Sequence, residues 1–260
     1  MKTIVFQSYR TEDVPGWIYR CLDTVRSWAV GRGFDYEFVD DRLFDYVPEW
    51  FRSKVDENKF IMSDLARLEL AREFLAGKYQ RAIWVDADIL VFDPEQFEIE
   101  VTEEYAFCRE VWIERRPGKK HAAKIKVNNA VSLFLADNSM LDFYIYACKT
   151  IVANHCQNFD NILVGTRFLT NLYRAIKFPL IHNVGLFSPA VMNDIAGGGG
   201  PMVEAYMRAF GRPLGAGNLC GSFRGKEFNG VLMSDSIYDQ AVEKLLKTRG
   251  TILNTCLTQK

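Results

Sequence analysis

At 260 residues, 48% of them hydrophobic, the chain can build one large α/β domain or two small ones, and its composition is far from that of a disordered segment. A formal net charge of −1 removes any bulk electrostatic case for nucleic acid or an anionic membrane as the main partner. Six cysteines (Cys21, Cys108, Cys148, Cys156, Cys220, Cys256) lack Cys-x-x-Cys spacing and follow no secretory signal, and His121, His155 and His182 lie far apart. These features point to reduced thiols in a cytosolic protein, with neither a disulfide frame nor a zinc site.

Residues 2–7 carry Thr-Ile-Val-Phe, the short apolar run of a buried first strand. Gln7, Ser8 and Tyr9 stand at its end, where doubly wound sheets bind nucleotides. Behind Val14-Pro15, Trp17, Cys21, Val25 and Trp28 recur at helical spacing, with Ile18, Leu22 and Ala29 widening the stripe. Gly31-Arg-Gly33 stops that helix, and residues 34–39 predict a second strand. Strand, helix, strand is the opening of a doubly wound α/β sheet. Residues 40–59, aromatic and charged with Pro48 among them, predict an irregular connection containing a short helix. Ser63 stands where it caps a helix running to about Ala76, ended by Gly77. Asp64 and Arg67 extend the buried stripe of Leu68, Ala71, Phe74 and Leu75, which favours a site role over an exposed ion pair one turn apart.

Residues 81–94 read Arg-Ala-Ile-Trp-Val-Asp-Ala-Asp-Ile-Leu-Val-Phe-Asp-Pro. On an extended backbone Asp86 and Asp88 share one face with Trp84 and Leu90. Two carboxylates crowded in apolar surroundings repel each other and lose hydration, so they require protons, cationic neighbours or a divalent metal. The alternative is a strand end with two Asx-turn aspartates. Beyond Asp93-Pro94, residues 105–111 and 127–136 predict strands. The basic segment 115–126 between them, with its Pro-Gly turn, reads first as a solvated loop and second as a contact for an acceptor or a lipid headgroup. Asn128-Asn129 suits hydroxyl recognition as well as turn capping. Residues 141–152 and 166–175 predict helices, 178–181 a short strand and 236–247 a closing helix. The four glycines 197–200 are too flexible for any regular element and read as a disordered tether, or as a lid that orders over a ligand together with residues 215–223. No apolar run reaches the roughly 18 residues needed to span a bilayer, so any membrane contact is expected to be peripheral.

Together these segments resemble a GT-A-fold glycosyltransferase with an Asp-x-Asp motif. The nearest groups are the retaining capsular-polysaccharide and Och-type enzymes (family 32-like) and the glycogenin-like enzymes (family 8-like). Ser63-Asp-Leu-Ala-Arg67 is similar to the family's Ser-Asp-x-x-Arg helix, and residues 79–91 to its Asp-x-Asp strand. Asn218-Leu-Cys-Gly-Ser222-Phe223 is similar to a late His-Trp-x-Gly-Ser-Trp-type segment, and Phe6-Gln-Ser-Tyr9-Arg-Thr to a His-Gln-Thr-Trp-Lys start. The resemblance implies one GT-A-type α/β domain over residues 1–260, a Rossmann-like mixed sheet flanked by helices. Its nucleotide-sugar-binding part would cover about 1–95 and its acceptor side about 96–260.

The resemblance further implies metal-dependent transfer of a sugar, with retention, from a UDP- or GDP-sugar to a glycan, lipid-linked or protein acceptor. The catalytic residues would be Asp86, Asp88, Asp64 and Arg67. Asp86 and Asp88 would hold Mn²⁺ or Mg²⁺, with Asn218 standing where the family has a histidine. The donor would lie on Gln7, Ser8, Tyr9, Asp64, Arg67, Asn128, Asn129, Ser222 and Phe223, with Tyr9 stacked on the base. The chain departs from the family in Asn218 for histidine, in Phe223 for tryptophan, and in lacking the His-x-x-Gly-x-Lys-Pro-Trp ending of the glycogenin group. An amide oxygen suits Mn²⁺ or Mg²⁺ but binds more weakly than an imidazole or carboxylate.

Two other readings remain open. One is a haloacid-dehalogenase-like phosphohydrolase with Asp86 and Asp88 on its nucleophile strand and Asp235 and Asp239 as a late acidic motif, although here a full strand-helix-strand unit comes first. The other is a nucleotide-sugar-binding protein without turnover.

Overall fold

The computed structural model describes residues 1–99, 103–114, 122–156, 158–228 and 230–254. The chain opens with β1 (Thr3–Ser8), α1 (Gly16–Gly31) and β2 (Asp35–Val39), as its apolar periods predict. A 3₁₀ turn (Asp41–Tyr46) and the short α2 (Glu49–Lys54) fill the irregular connection. Next comes α3 (Lys59–Ala76), which begins a turn earlier than expected. Its cap is Asn58, whose side chain accepts from the N–H groups of Phe60 and Ile61, so Ser63 lies inside the helix.

After α3 come β3 (Arg81–Val85), β4 (Ile89–Val91), β5 (Tyr105–Glu114) and β6 (Ala122–Leu135). The last two are longer than the sequence period indicates. Of the basic segment, residues 122–126 extend β6, and 115–121 lie outside the described residues. Then follow α4 (Leu141–Asn154), a π turn (Leu163–Arg167) leading into α5 (Phe168–Ala175), β7 (Leu180–Ile181), β8 (Val184–Leu186), α6 (Pro189–Gly197) and α7 (Pro201–Phe210). The chain closes with β9 (Ala216–Asn218), a 3₁₀ turn (Gly221–Phe223), β10 (Glu227–Phe228), β11 (Val231–Leu232), α8 (Asp235–Thr248) and α9 (Thr251–Asn254).

The fold is α/β, a central mixed sheet flanked by helices. Its six strands run in the order β2-β1-β3-β6-β5-β7. β1 is parallel to β2 and β3, with Phe6 beside Trp84, whereas β6 is antiparallel to β3 and β5. Alternation sends Phe6 and Trp84 to one face, against Leu65 and Leu68 of α3 and Tyr144 of α4. Val5, Ile83 and Val85 go to the other face, against Val25, Trp28 and Ala29 of α1. Both faces are covered, which is why these strands read as continuous apolar runs. A smaller sheet, β4-β9-β8, and the helices α6, α7 and α8 enclose a third apolar cluster that includes Trp17, Leu90, Phe187, Tyr206 and Tyr238.

The four glycines are not a disordered tether but an ordered corner between α6 and α7. Gly197 closes α6, Gly198 and Gly199 adopt φ +98° and +121°, and the Gly199 N–H bonds to Asp194 O at 2.8 Å. The Asp194 carboxylate accepts the Met202 N–H at 2.7 Å, and a Cβ on Gly200 would collide with that carboxylate. Glycine is required here because the chain turns tightly between two helices through left-handed backbone. Cys21, Cys108, Cys148, Cys156 and Cys220 are free thiols; Cys256 lies outside the described residues. Among the described residues no helix is long and apolar enough to cross a membrane.

Candidate functional site

β3 ends at Val85, and the Ile89 N–H reaches back to Asp86 O at 3.1 Å, so Asp86-Ala-Asp88 is a turn and not an extended strand. Asp86 stays beside Trp84, but the face it was expected to share with Asp88 is lost, and the two aspartates meet different partners. Asp86 Oδ1 accepts from Trp84 Nε1 at 2.6 Å and from Arg67 Nη1 at 3.0 Å. Asp88 Oδ1 accepts from Asn218 Nδ2, and its Oδ2 from the Gly221 N–H, both at 2.8 Å. The turn is pinned through its backbone: Asp86 N–H donates to Ala130 O, and Asp86 O accepts from Gln7 Nε2. Gln7 is fully buried and accepts from the Tyr36 hydroxyl, so it braces the turn.

Asp64 and Arg67 are 6% and 7% exposed, far from the solvated ion pair their spacing permits. Arg67 donates Nε to Ser63 O, Nη2 to Ser63 Oγ, and Nη1 to Asp86 Oδ1 and Asn129 O, while Nη2 also pairs with Asp64 Oδ1. These contacts span 3.0–3.2 Å and hold the guanidinium by four hydrogen bonds and an ion pair within the protein. The guanidinium also lies over the Trp84 ring at 4.7 Å. Asn129 donates to Asp64 at 2.8 Å, and Gly165 leaves so little room that a Cβ there would come within 2.7 Å of Asp64 Oδ2.

Asn128 turns elsewhere, donating to Glu110 at 2.9 Å and to Thr166 at 3.3 Å. Glu110, 4% exposed and paired with Lys126 directly across the ladder, was not singled out by the sequence reading, although a lone acid within an apolar strand pattern was the available signal.

Asp64 and Asp86 thus share one guanidinium, and with Asp88 two residues on the group carries a formal charge of −2 when all are ionised. Burial pushes Asp64 up to about 6, outweighing Arg67 and Asn129. Burial and then the charge of Asp86 push Asp88 up to about 7, against the Gly221 N–H. Asp86 is raised by burial in spite of Arg67 and Trp84, and its side chain remains 26% exposed. The cluster holds more carboxylate than its own cations neutralise.

Half-buried Tyr9 follows β1 into the same crevice. Burial raises its hydroxyl pKa first, and the charges of Arg10, Asp88, Arg224 and Asp235 all act on it. Arg224 is a second residue the sequence reading missed, because an arginine in a polar run carries no pattern of its own. It forms a two-pronged pair with Asp235 at 2.5 and 2.6 Å, and Asp235 also accepts from Trp17 Nε1 at 3.0 Å. Asp239 pairs with Arg20 at 2.5 Å. The late acids of the phosphohydrolase reading are therefore paired with arginines.

Ser8 donates to Asp40 O at 3.3 Å. Ser222 is exposed, and Phe223 packs on Trp112 and Phe228 with ring centroids 5.8 and 5.5 Å away. Asn218 Oδ1 accepts the Cys220 N–H at 2.7 Å, which fixes the amide, since a flip would set Nδ2 against another donor. Asn218 therefore turns its nitrogen, not its oxygen, toward Asp88.

Fold and site together define a mixed α/β domain with two partly buried carboxylates just past the carboxyl end of β3, beside its parallel neighbour β1, where open α/β sheets receive ligands. No protein-family model matches the chain, and no curated protein matches it. Among solved structures it is similar to a glycosyltransferase involved in the glycosylation of the major capsid of PBCV-1, with 11% identity, 92% of this chain and 98% of that one covered, and a TM-score of 0.44. It is also similar to the galactosyltransferase LgtC in complex with donor and acceptor sugar analogs, with 12% identity, 93% and 95% covered, and a TM-score of 0.45. A third is the apo-form glycosyltransferase GlyE of Streptococcus pneumoniae TIGR4, with 12% identity, 99% and 63% covered, and a TM-score of 0.45. Likenesses this distant assign neither an activity nor a substrate.

Proposed function

We propose that the chain is a glycosyltransferase that uses Mn²⁺ or Mg²⁺ and moves a sugar, with retention, from a UDP- or GDP-sugar to a glycan, lipid-linked or protein acceptor. The observation that carries this reading is a set of three carboxylates served by one guanidinium: Arg67 pairs with Asp64 and Asp86, and Asp88 stands two residues on, beside Tyr9 at the end of β1. A site short of positive charge, placed at the ligand-binding end of parallel strands, suits a divalent ion together with a nucleotide diphosphate.

Among the described residues no group of three His, Cys, Asp or Glu is placed to hold a metal. Two carboxylates still fit, because Mg²⁺-type sites commonly combine one or two of them with substrate phosphates. Asp86 and Asp88 would be those ligands, and a bound ion would act as a Lewis acid toward the departing diphosphate. Both bonds to Asp86 fall on Oδ1, which leaves Oδ2 for this purpose. Asn218 and the Gly221 N–H orient Asp88. Arg67, its donors engaged, is a positioning residue for Asp86 and not a sugar contact. Asp64 and Asn129 form the floor beneath the donor sugar, and Tyr9 carries the base. In a retaining course the departing phosphate oxygen takes the acceptor's proton, so no further base is required. A cytoplasmic setting, at most peripheral to a membrane, goes with this reading.

Thermal-shift screening of UDP-, GDP- and CDP-sugars with and without Mn²⁺ tests it. One nucleotide class should raise Tm only with metal, and Asp88→Asn should abolish that rise. A screen in which no nucleotide raises Tm would overturn the assignment. The orientation of the Asn218 amide favours, as a second reading, nucleotide-sugar binding without turnover; that reading is met by stabilisation unaccompanied by donor hydrolysis or transfer.

A further inference from the structure

An open groove of about 600 Å³ lies between the N-terminal end of α3 and the loop that leads from α4 into the π turn. Asp56, Asn58 and Phe60 line one wall, and Asn158, Phe159 and Asn161 the other. Both walls run inward to Asp64. Phe60, Asp64 and Arg67 stand at i, i+4 and i+7 on one face of α3, so Asp64 lies one turn, about 6 Å, along the axis from Phe60. Four residues beyond Asn161, Gly165 packs against the same carboxylate, where a Cβ would come within 2.7 Å of Oδ2.

Asp56, Phe60, Asn158 and Asn161 are all exposed, so an occupant can touch them. The hydrogen-bonding role of Asn161 is fixed from the helix cap. Asn58 Oδ1 accepts the Phe60 and Ile61 N–H groups, which leaves Nδ2 to donate to Asn161 Oδ1 at 2.9 Å. A flip of either amide would set donors against donors. Asn161 Nδ2 therefore remains a donor without an acceptor among the described residues. The Asp56 carboxylate accepts only, and it bonds to no donor among the described residues. Its place on the wall is held by strained backbone, since Asp56 and Glu57 are both left-handed at φ +51° and +52°.

A fixed donor, an unengaged acceptor and the 47% exposed ring of Phe60 select the ligand. A hydroxyl donates to Asp56 and accepts from Asn161, and a sugar ring also carries C–H surface to cover Phe60. The lining holds one charge of each sign, Asp56 and Lys59, and Lys59 already lies 3.7 Å from Asp41. It thus favours a neutral ligand over an anionic or a cationic one. The volume falls within the roughly 300–1,000 Å³ of small-ligand sites.

We propose that this groove holds the acceptor, and that the acceptor is a neutral glycan whose end reaches the donor sugar above Asp64. The acceptor role rests on the glycosyltransferase reading; glycan binding in the groove does not.

Maltotriose, cellotriose, triacetylchitotriose and mannotriose serve as probes on the whole protein, without nucleotide or metal. The His155 ring packs on Phe159 with centroids 4.8 Å apart, and the chain has three histidines, so its nuclear magnetic resonance signals can be assigned and report on the groove. At least one trisaccharide should shift them saturably while those of His182, beyond the edge strand β7, stay in place. In calorimetry Phe60→Ala and Asn161→Ala, both at exposed positions, should each weaken that probe about tenfold, and Asp88→Asn should leave its affinity unchanged. In transfer assays Phe60→Ala should raise the KM for the same glycan about tenfold and leave the KM for the donor in place. Failure of all four probes to move His155 overturns the proposal, as do an affinity untouched by both groove variants, loss of binding in Asp88→Asn, and a saturable shift with inorganic pyrophosphate alone. A trisaccharide that binds the groove while no nucleotide raises Tm would overturn the glycosyltransferase reading, and the acceptor role with it, but not the glycan site.

Discussion

Arg67 is the counter-charge for both Asp64 and Asp86, and its removal leaves two carboxylates in the interior without a cation. Breaking a buried pair in this way typically costs about 3–5 kcal/mol, so Arg67→Ala should lower the urea midpoint by that equivalent. Arg67→Lys should recover little of it, because a point charge on a flexible stem cannot meet the oxygens that the planar guanidinium reaches. A loss under about 1 kcal/mol would mean the carboxylates are already protonated.

Asp64 allows a separate check by pH. Its folded-state pKa stands near 6 against an ordinary 3.8, so the folded chain binds this proton more tightly and ionisation works against folding. That cost is absent below about pH 4, grows between about 4 and 6, and then stays level, on the order of 3 kcal/mol in all. Asp64→Asn removes it. The unfolding free energy of the variant, measured against the parent chain, should climb across that window and run flat above it. A difference that stays constant from pH 4 to 8 would show that Arg67 and Asn129 fully offset burial.

At the scale of elements, β1, α1, β2 and β3 fall where their periods place them, because each buries a face or stripe wide enough to leave a pattern. β9 was not legible. Ala216-Gly-Asn218 contains no strand former, and it pairs with β4 and β8 because glycine admits the Phe187 ring at the place a Cβ of Gly217 would occupy. For the site, residue types were legible and partners were not. The sequence marks Asp86 and Asp88 as crowded, yet a turn of a few residues decides that one meets Arg67 and the other Asn218. Asn128 and Asn129 read as a pair, and strand alternation sends them to Glu110 and Asp64.

The glycine run misled for a related reason, since its flexibility is used to make one tight corner between α6 and α7. Gly199→Ala, at φ +121°, should therefore destabilise the fold by about 1–3 kcal/mol, and the Gly199 amide should be protected from hydrogen exchange without any ligand. A neutral substitution and fast exchange would restore the lid.

For the molecule as a whole, the candidate site is a joint. Asp86 is held by the six-stranded sheet and α3, whereas Asp88 is held by Asn218 of β9 and by Gly221, which belong to the smaller sheet and the segment leading to α8. A ligand binding both aspartates ties these two parts together and stabilises the native state against global unfolding. Ligand at 100 times its Kd adds about 2.7 kcal/mol, and at roughly 2–4 °C per kcal/mol for a domain of this size Tm should rise by about 5–11 °C. The rise should divide unequally between partners. Nucleotide without Mn²⁺ retains the contact with Tyr9 on the sheet side alone and should give only a small part of it. Mn²⁺ without nucleotide competes with the proton on Asp88, whose pKa stands near 7, and should also give little. Together they should exceed the sum of the separate shifts, and Asp88→Asn should return the combined shift to the level of nucleotide alone. Strictly additive shifts would mean that nucleotide and metal occupy separate places, and Asp86 and Asp88 would then be a structural turn.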